Sequence, residues 1–194
     1  MGLIIVTQPE IEPVTVAEAK AWARIEASST VHDDLIGSLI TSARMKAELH
    51  TWRAFITQTL RWSADEWPAD GEIKLPRPPL IGEDITVEWV DDDGTWNEVD
   101  ADDYWIDTDS EPGRLWPVDY WPDSHADAPG AVRVTYDAGY GDTADCVPEL
   151  IKTAIKKAVA TWLEFRQDLV VGGAPELPQT ALMDLRPFQI LEFR

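Results

Sequence analysis

The residues whose types could support catalysis are scattered through this 194-residue sequence. His32, His50 and His125 do not form a His-Glu-x-x-His motif, and Cys146 is the one cysteine. Neither a zinc site nor a paired cysteine and histidine is therefore predicted. The sequence also has no Walker-type phosphate loop. We expect no enzymatic activity, no metal and no cofactor.

A glycine-rich pattern offers one candidate for nucleotide binding. Gly139, Gly141 and Ala144 match Gly-x-Gly-x-x-Ala between a predicted strand and a predicted helix, the context of a dinucleotide-binding turn. Asp142 and Asp145 would repel a pyrophosphate, and the helix begins too late to hold one. We interpret the glycines as structural residues where a strand ends.

Tryptophans close to carboxylates offer a second candidate. Trp105 lies between Asp103 and Asp107, a combination that could bind or cleave a sugar if the carboxylates stood about 5–9 Å apart beside a groove. Aromatic residues in short strands more often pack in a core or an interface. A Trp-rich glycan-binding module remains an alternative function.

The net charge of -20 is concentrated in one segment. Residues 63–145 contain 23 acidic and four basic residues, a net charge of -19, whereas both flanks are nearly neutral. Binding of nucleic acid through a basic surface is excluded, because phosphate neutralisation needs clustered Lys and Arg. An acidic DNA mimic that inhibits a DNA-binding enzyme is a further alternative.

The early apolar run Leu3–Val6 is too short for a signal peptide or a membrane span.

The flanks are predicted to be helical. Thr15 and Glu18 form a capping-box pattern at the start of a first helix. A second helix is predicted over 33–50 and a third from Pro148 to about residue 166. We expect Trp162, at the end of the third helix's apolar stripe, to be buried against the second helix. The stripe of the second helix comprises Leu35, Ile36, Leu39, Ile40, Ala43 and Ala47, and Arg44, Lys46 and Glu48 fall mostly off it.

Between these helices the periodicity changes to that of strands. Ile56, Gln58, Leu60 and Trp62 alternate with polar residues, and Asp93-Gly94 favours a hairpin turn. The fold is therefore predicted to be α+β: a small core of three main helices, an inserted acidic antiparallel β segment and an extended C-terminal arm. Further strands are predicted over 73–75, 85–90, 96–99, 104–106 and 132–136.

The predicted arm is too apolar for a solvated tail, and its prolines interrupt any long helix. It either docks on a partner or folds back on its own core. The residues expected to make the docking contacts are Leu182, Leu185, Phe188, Ile190, Leu191 and Phe193.

Several motifs follow one another along the chain: 13–20 (PVTVAEAK), 33–36 (DDLI), 43–44 (AR), 56–59 (ITQT), 134–141 (VTYDAGYG) and 147–151 (VPELI), with Trp162 in the third helix. Their order and spacing resemble the head–tail connector (adaptor, or head-completion) proteins of long-tailed double-stranded-DNA phages and related gene-transfer particles. One departure is Trp52, because the family commonly has glycine after the position of Thr51.

The resemblance implies a structural protein of the virion, made in the host cytoplasm and without a membrane partner. Its subunits would form a ring under the portal, usually twelve-fold, and the DNA would pass through the channel without sequence-specific binding. Its partners would be further copies of itself, the portal protein, and the next head-completion or tail-terminator protein. The chain would be one connector domain over 1–194, divided into N-terminal helices (1–55), the β insertion (56–145), the third helix (146–171) and the arm (172–194).

Overall fold

The computed structural model describes residues 1–124, 129–164 and 176–190. The chain divides into two compact units, which are treated separately below. The helical unit contains the described residues of 11–56 and 141–192, and the β unit contains those of 1–10 and 57–140. The predicted α+β class is confirmed. No described helix combines the length and the apolar character that crossing a bilayer requires.

The helical unit contains α1 (Val16–Trp22), α2 (Asp33–Thr51), α3 (Glu149–Glu164) and α4 (Gln179–Leu185). The predicted capping box is present at the start of α1. The Glu18 amide donates to the Thr15 hydroxyl at 3.2 Å, and the Thr15 amide donates to the Glu18 carboxylate at 2.7 Å. Both contacts satisfy amides that a helix N-terminus leaves without an intrahelical partner.

Helix α2 has its C-cap at Trp52, the position where glycine was expected from the resemblance. Trp52 adopts the left-handed conformation, with φ 57° and ψ 35°, and its amide donates to the Glu48 carbonyl. This is the helix-terminating conformation that glycine adopts most easily. Trp52 therefore ends the helix in the geometry that glycine would favour, although its Cβ makes that conformation costly.

The core of the helical unit lies where α1, α2 and α4 pack against α3. Trp162 is 3% exposed, as predicted, and its indole Nε1 donates to the Glu176 carbonyl at 3.0 Å. The other buried residues of α2, α3 and α4 follow helical spacing: Ile36, Ile40, Ala43, Ala47, Ile151, Ala154, Ile155, Ala158, Val159, Ala181 and Leu185.

The β unit contains two antiparallel sheets, with strand orders β1-β2-β8-β4-β5 and β3-β7-β6. The N-terminal β1 pairs with β2, so residues assigned to the helical flank complete the larger sheet of the predicted insertion. The strands are β1 (Gly2–Thr7), β2 (Gln58–Ala64), β3 (Ile73–Leu75), β4 (Leu80–Val90), β5 (Trp96–Glu98), β6 (Tyr104–Asp107), β7 (Gly113–Pro117) and β8 (Val132–Ala138).

The two sheets are joined by close contacts within the β unit. A Cβ on Gly113 of β7 would lie 2.7 Å from Leu80 Cδ2 of β4, so the backbone approaches where only glycine fits. The Tyr104 hydroxyl donates to the Ile85 carbonyl at 2.8 Å. Burial raises the pKa of both Tyr104 and Tyr136, and the Tyr136 hydroxyl donates to the Pro76 carbonyl at 2.6 Å.

The loops of the β unit are fixed by local contacts. The predicted hairpin turn joins β4 to β5: Asp91 accepts the Thr95 amide at 2.9 Å, and Gly94 has φ 79°. Away from this turn, the Trp67 and Trp121 rings stack with centroids 4.6 Å apart, and the Trp121 indole donates to the Gly71 carbonyl at 2.8 Å. These two tryptophans therefore pack against each other, and Trp121 is buried.

The glycine-rich pattern has the structural role predicted for it. Gly141 has φ 144°, and a Cβ there would lie 2.7 Å from Cys146 Sγ. A short 3-10 helix over Ala144–Cys146 precedes α3, so the turn does not lead directly into the helix N-terminus. Cys146 itself is exposed.

Candidate docking surface of the helical unit

The described part of the predicted arm is folded. Residues 176–190 contain α4 and a 3-10 turn over Arg186–Phe188, and α4 packs on α3. Ala181 and Leu185 on one face of α4 are fully buried. Over these residues the arm is not extended, because two apolar positions one turn apart complete the helical core.

Polar contacts tie the same segment to α2 and α3. The Arg53 Nε donates to the Phe188 carbonyl at 2.7 Å, and the Ile190 amide donates to the Thr51 carbonyl at 2.9 Å. Lys157 on α3 contacts Asp184 on α4 at 2.6 Å. Of the two alternatives left by the sequence, residues 176–190 follow the one in which the arm folds back on its own core.

The six predicted docking residues have different environments. Leu185 is fully buried, so in the isolated chain it belongs to the core rather than to an accessible surface. Leu182, Phe188 and Ile190 are half-buried and offer part of their apolar surface to a partner. Leu191 and Phe193 lie outside the described residues.

Leu182 lines a groove of about 370 Å³ between α2 and the segment that contains α4. Leu49 in the same groove is 59% exposed, and Met45 one turn before it on α2 is 52% exposed. Met183, beside Leu182, is 64% exposed. The groove is lined by Lys46, Leu49, His50, Glu176, Leu177 and Leu182.

The α2 side of this groove is not among the residues predicted from the sequence to make docking contacts. Met45 and Leu49 are four residues apart and lie off the buried stripe, so they form a second apolar face on the helix. A helix with two apolar faces either packs on both or offers one to a partner. We call Met45, Leu49, Leu182 and Met183 the α2–α4 patch.

The α2–α4 patch is suited to binding apolar side chains. It combines exposed Leu and Met side chains with one lysine, one histidine and one glutamate at the groove. Methionine adapts to different partner shapes and is common at interaction surfaces.

Within residues 1–124, 129–164 and 176–190, no group of three or more His, Cys, Asp or Glu side chains could hold a metal ion.

Asp107, one of the two carboxylates near Trp105, is not suited to act as the general acid of a glycosidase pair. The Ser110 hydroxyl and amide, together with Arg114, lower the pKa of Asp107 to about 2. A general acid for glycoside cleavage needs a raised pKa so that it holds a proton near neutral pH. Asp107 is instead the partner of Arg114, at 2.8 Å.

Solved structures provide the comparison for this fold. The chain is similar to a chain in the neck of an empty gene transfer agent particle computed with C6 symmetry, with TM-score 0.79 and 22% identity over 99% of this chain and 97% of that chain. The same values relate it to a chain in the virion of the native gene transfer agent particle. For the neck of the native particle computed with C12 symmetry the TM-score is 0.74 and the identity 20%, with the same coverage of both chains.

At these identities the likeness establishes a shared fold over nearly the whole chain. No protein-family model matches the sequence, and neither does any curated protein.

Proposed function

We propose that this protein is a structural subunit of the neck of a phage-like particle, where it acts as a head–tail connector. The observation that carries the proposal is the whole-length match, at TM-score 0.79, to a chain of a gene transfer agent neck. The match covers both units and leaves almost no part of either chain unpaired. The sequence motifs that resemble connector proteins lie in both flanks and support the same role independently.

The proposed assembly is a ring of identical subunits under the portal. The neck structures that match were computed with C6 and C12 symmetry, and we propose twelve copies for this protein. A ring closes through heterologous contacts, so each subunit needs two different surfaces. The α2–α4 patch supplies one of them, with Phe188, Ile190, Leu191 and Phe193 as further contacts to the portal or to a neighbouring subunit.

The acidic β unit has a different role in this proposal. Its carboxylates would repel DNA phosphates, so DNA could pass through the ring without adhering to this unit or being read by sequence. The remaining partner is the next head-completion or tail-terminator protein below the ring. The protein would accordingly be found in the virion, with no membrane partner.

Removing the protein tests this role directly. In a particle-producing cell that lacks the gene, we expect DNA-filled heads and free tails that do not join. Restoring the wild-type chain should restore joined particles, counted by electron microscopy. Joined, infectious or DNA-transferring particles in the absence of the chain would overturn the proposal.

Variants of two exposed leucines distinguish loss of the proposed docking surface from a general loss of stability. Leu49 is 59% exposed in the α2–α4 patch, and Leu150 is 49% exposed on α3 outside the groove lining. We expect Leu49→Ser to lower the number of joined particles severalfold and Leu150→Ser to leave it close to wild type. Equal numbers of joined particles for the two variants would remove the α2–α4 patch from the proposal.

A further inference from the structure

The β unit carries an exposed aromatic face that the connector role leaves unexplained. Trp105 on β6 is 66% exposed, although its cross-strand neighbour Trp116 is half-buried. Beyond the end of β7, Val118 is 47% and Tyr120 83% exposed. Single exposed apolar residues are ordinary, but a large exposed tryptophan near two more apolar side chains marks an interaction surface.

Carboxylates accompany these apolar residues. Asp103 and Asp119 line a groove of about 260 Å³ together with Val118 and Tyr120. Asp103 also lies two residues before Trp105, and its carbonyl accepts the Val118 amide at 2.8 Å. We call Asp103, Trp105, Val118, Asp119 and Tyr120 the Trp105 face. The face offers apolar area and negative charge together, which suits a cationic group with a flat apolar surface.

Elsewhere in the β unit, two arginines each stack on a tryptophan and pair with a carboxylate. The Arg114 guanidinium lies 4.8 Å from the centroid of the Trp116 ring and contacts Asp107 at 2.8 Å. Here the tryptophan provides an aromatic ring and the aspartate a negative charge, and one arginine contacts both.

The second example is tighter. The Arg133 guanidinium lies 3.7 Å from the centroid of the Trp96 ring, and two of its nitrogens donate to the Glu88 carboxylate at 2.6 Å each. This arrangement lowers the pKa of Glu88 and raises that of Arg133, because the hydrogen bonds favour both charged forms. The geometry matches the planar guanidinium, which stacks on a ring and binds a carboxylate at its edge.

Trp105 resembles Trp116 and Trp96 in having a carboxylate, that of Asp103, close to it in the sequence. It differs from them in the arginine. In the described part of the chain no Lys or Arg stacks on the Trp105 ring. Residues 63–145 contain only four basic side chains, and Arg114 and Arg133 are already engaged. The exposed Trp105 ring therefore has no cation stacked on it among the described residues, and the net charge of -19 over this segment would attract a cation from another molecule.

We propose that the Trp105 face docks an arginine-bearing basic segment of another protein, with a guanidinium stacked on Trp105 and paired with Asp103. A nucleic-acid partner is disfavoured because phosphates would meet the same carboxylates. The inference stands on the β unit alone and holds whether or not the chain is a neck subunit. In a neck, it would select a neighbouring protein with a basic surface.

The test uses the full-length protein and two short peptides of equal charge. One is the blocked pentapeptide Gly-Arg-Gly-Arg-Gly and the other is Gly-Lys-Gly-Lys-Gly. The readout is the indole N–H resonance of Trp105 in a two-dimensional NMR spectrum, assigned by its loss in Trp105→Leu. We expect the arginine peptide to shift this resonance saturably and to bind severalfold more tightly than the lysine peptide.

The variants separate stacking from net charge. Because Trp105→Leu and Trp105→Phe lack the indole, binding to every variant is followed by the backbone amide resonances of β6 and β7. Trp105→Leu should weaken binding of the arginine peptide by about tenfold, and Trp105→Phe should retain part of it. Asp103→Asn should weaken binding more than Asp93→Asn, which removes the same charge at the β4–β5 hairpin. The unchanged dispersion of the other resonances checks that each variant is folded.

Three results would overturn the proposal. The first is an arginine peptide that binds Trp105→Leu as tightly as the wild type. The second is an equal loss for Asp103→Asn and Asp93→Asn, which would show only diffuse attraction to an acidic surface. The third is a Trp105 resonance that responds to a β-linked oligosaccharide and not to the arginine peptide, which would assign the face to glycans.

Discussion

Arg44 and Glu48 form a buried ion pair one turn apart on α2: Arg44 Nη1 donates to Glu48 Oε2 at 2.9 Å. The two side chains are 4% and 1% exposed. Glu48 also accepts the Phe55 amide at 3.0 Å, and Arg44 Nε donates to Glu12 at 2.8 Å. The pair therefore holds the segments before and after α2 to the same helix.

Replacing one member of this pair should be strongly destabilising. Arg44→Met removes the buried cation that Glu48 contacts at 2.9 Å, and breaking a buried pair by removing one partner typically costs about 3–5 kcal/mol. Lys46→Met on the same helix removes a half-exposed cation and should cost less than about 1 kcal/mol. Urea unfolding monitored by circular dichroism compares the two, and equal losses of stability would contradict the structural role of Arg44.

Trp162→Ala tests the packing of α3. The side chain is 3% exposed, and its removal also leaves the Glu176 carbonyl without the indole donor. We expect a loss of about 3–5 kcal/mol, measured by thermal or urea unfolding. Leu150→Ala on the exposed side of α3 serves as the control. A melting temperature for Trp162→Ala within error of the wild type would show that the ring is not in the core.

Replacing each of two glycines with alanine should change the free energy of unfolding in opposite directions. Gly37 lies within α2, and a Cβ there meets nothing within 4 Å, so Gly37→Ala should stabilise the protein by about 0.5–1 kcal/mol. Gly141→Ala combines an unfavourable φ of 144° with a Cβ 2.7 Å from Cys146 Sγ and should destabilise it. Unfolding free energies with the same sign for both variants would contradict these positions.

Asp107 should titrate far below an ordinary aspartate. Hydrogen bonds from Ser110 are the largest cause and Arg114 adds to them, lowering the pKa from 3.8 to about 2. Because the folded-state pKa is lowered, the stabilisation is complete above the unfolded pKa and is lost as the pH falls from about 4 to 2. Carboxyl-carbon NMR titration should show Ser110→Ala raising this pKa more than Arg114→Gln does. An Asp107 pKa near 3.8 in the wild type would show that the Ser110 contacts are not formed.

Local patterns predicted much of the secondary structure because their periodicity is strong. The capping box at Thr15, the stripe that ends at Trp162 and the Asp93-Gly94 hairpin all depend on residues close together in sequence. Strand β1 was missed because its run of four apolar residues was weighed only as a possible leader or span. Its pairing with β2 depends on a segment more than 50 residues away.

The candidate surfaces were harder to predict for the same reason. Leu185 and Leu182 are neighbours in an apolar stretch, and only the packing of α4 on α3 shows that one is buried and the other accessible. Arg44 and Glu48 fall off the apolar stripe of α2, and periodicity alone does not show that a buried charge has a buried partner. Trp105 was noted as a sugar-binding candidate, but the two arginine-covered tryptophans nearby emerge only from the fold.

The location of this chain in the particle tests our proposal that it is part of the neck between head and tail. The hairpin tip at Asp93-Gly94 is exposed and accepts a short epitope without interrupting a strand. Particles that carry this tagged chain can be labelled with an antibody fragment and imaged by cryo-electron microscopy. The account predicts extra density repeated around the neck, and density on the capsid shell or at the tail tip, or particles that contain none of the chain, would contradict it.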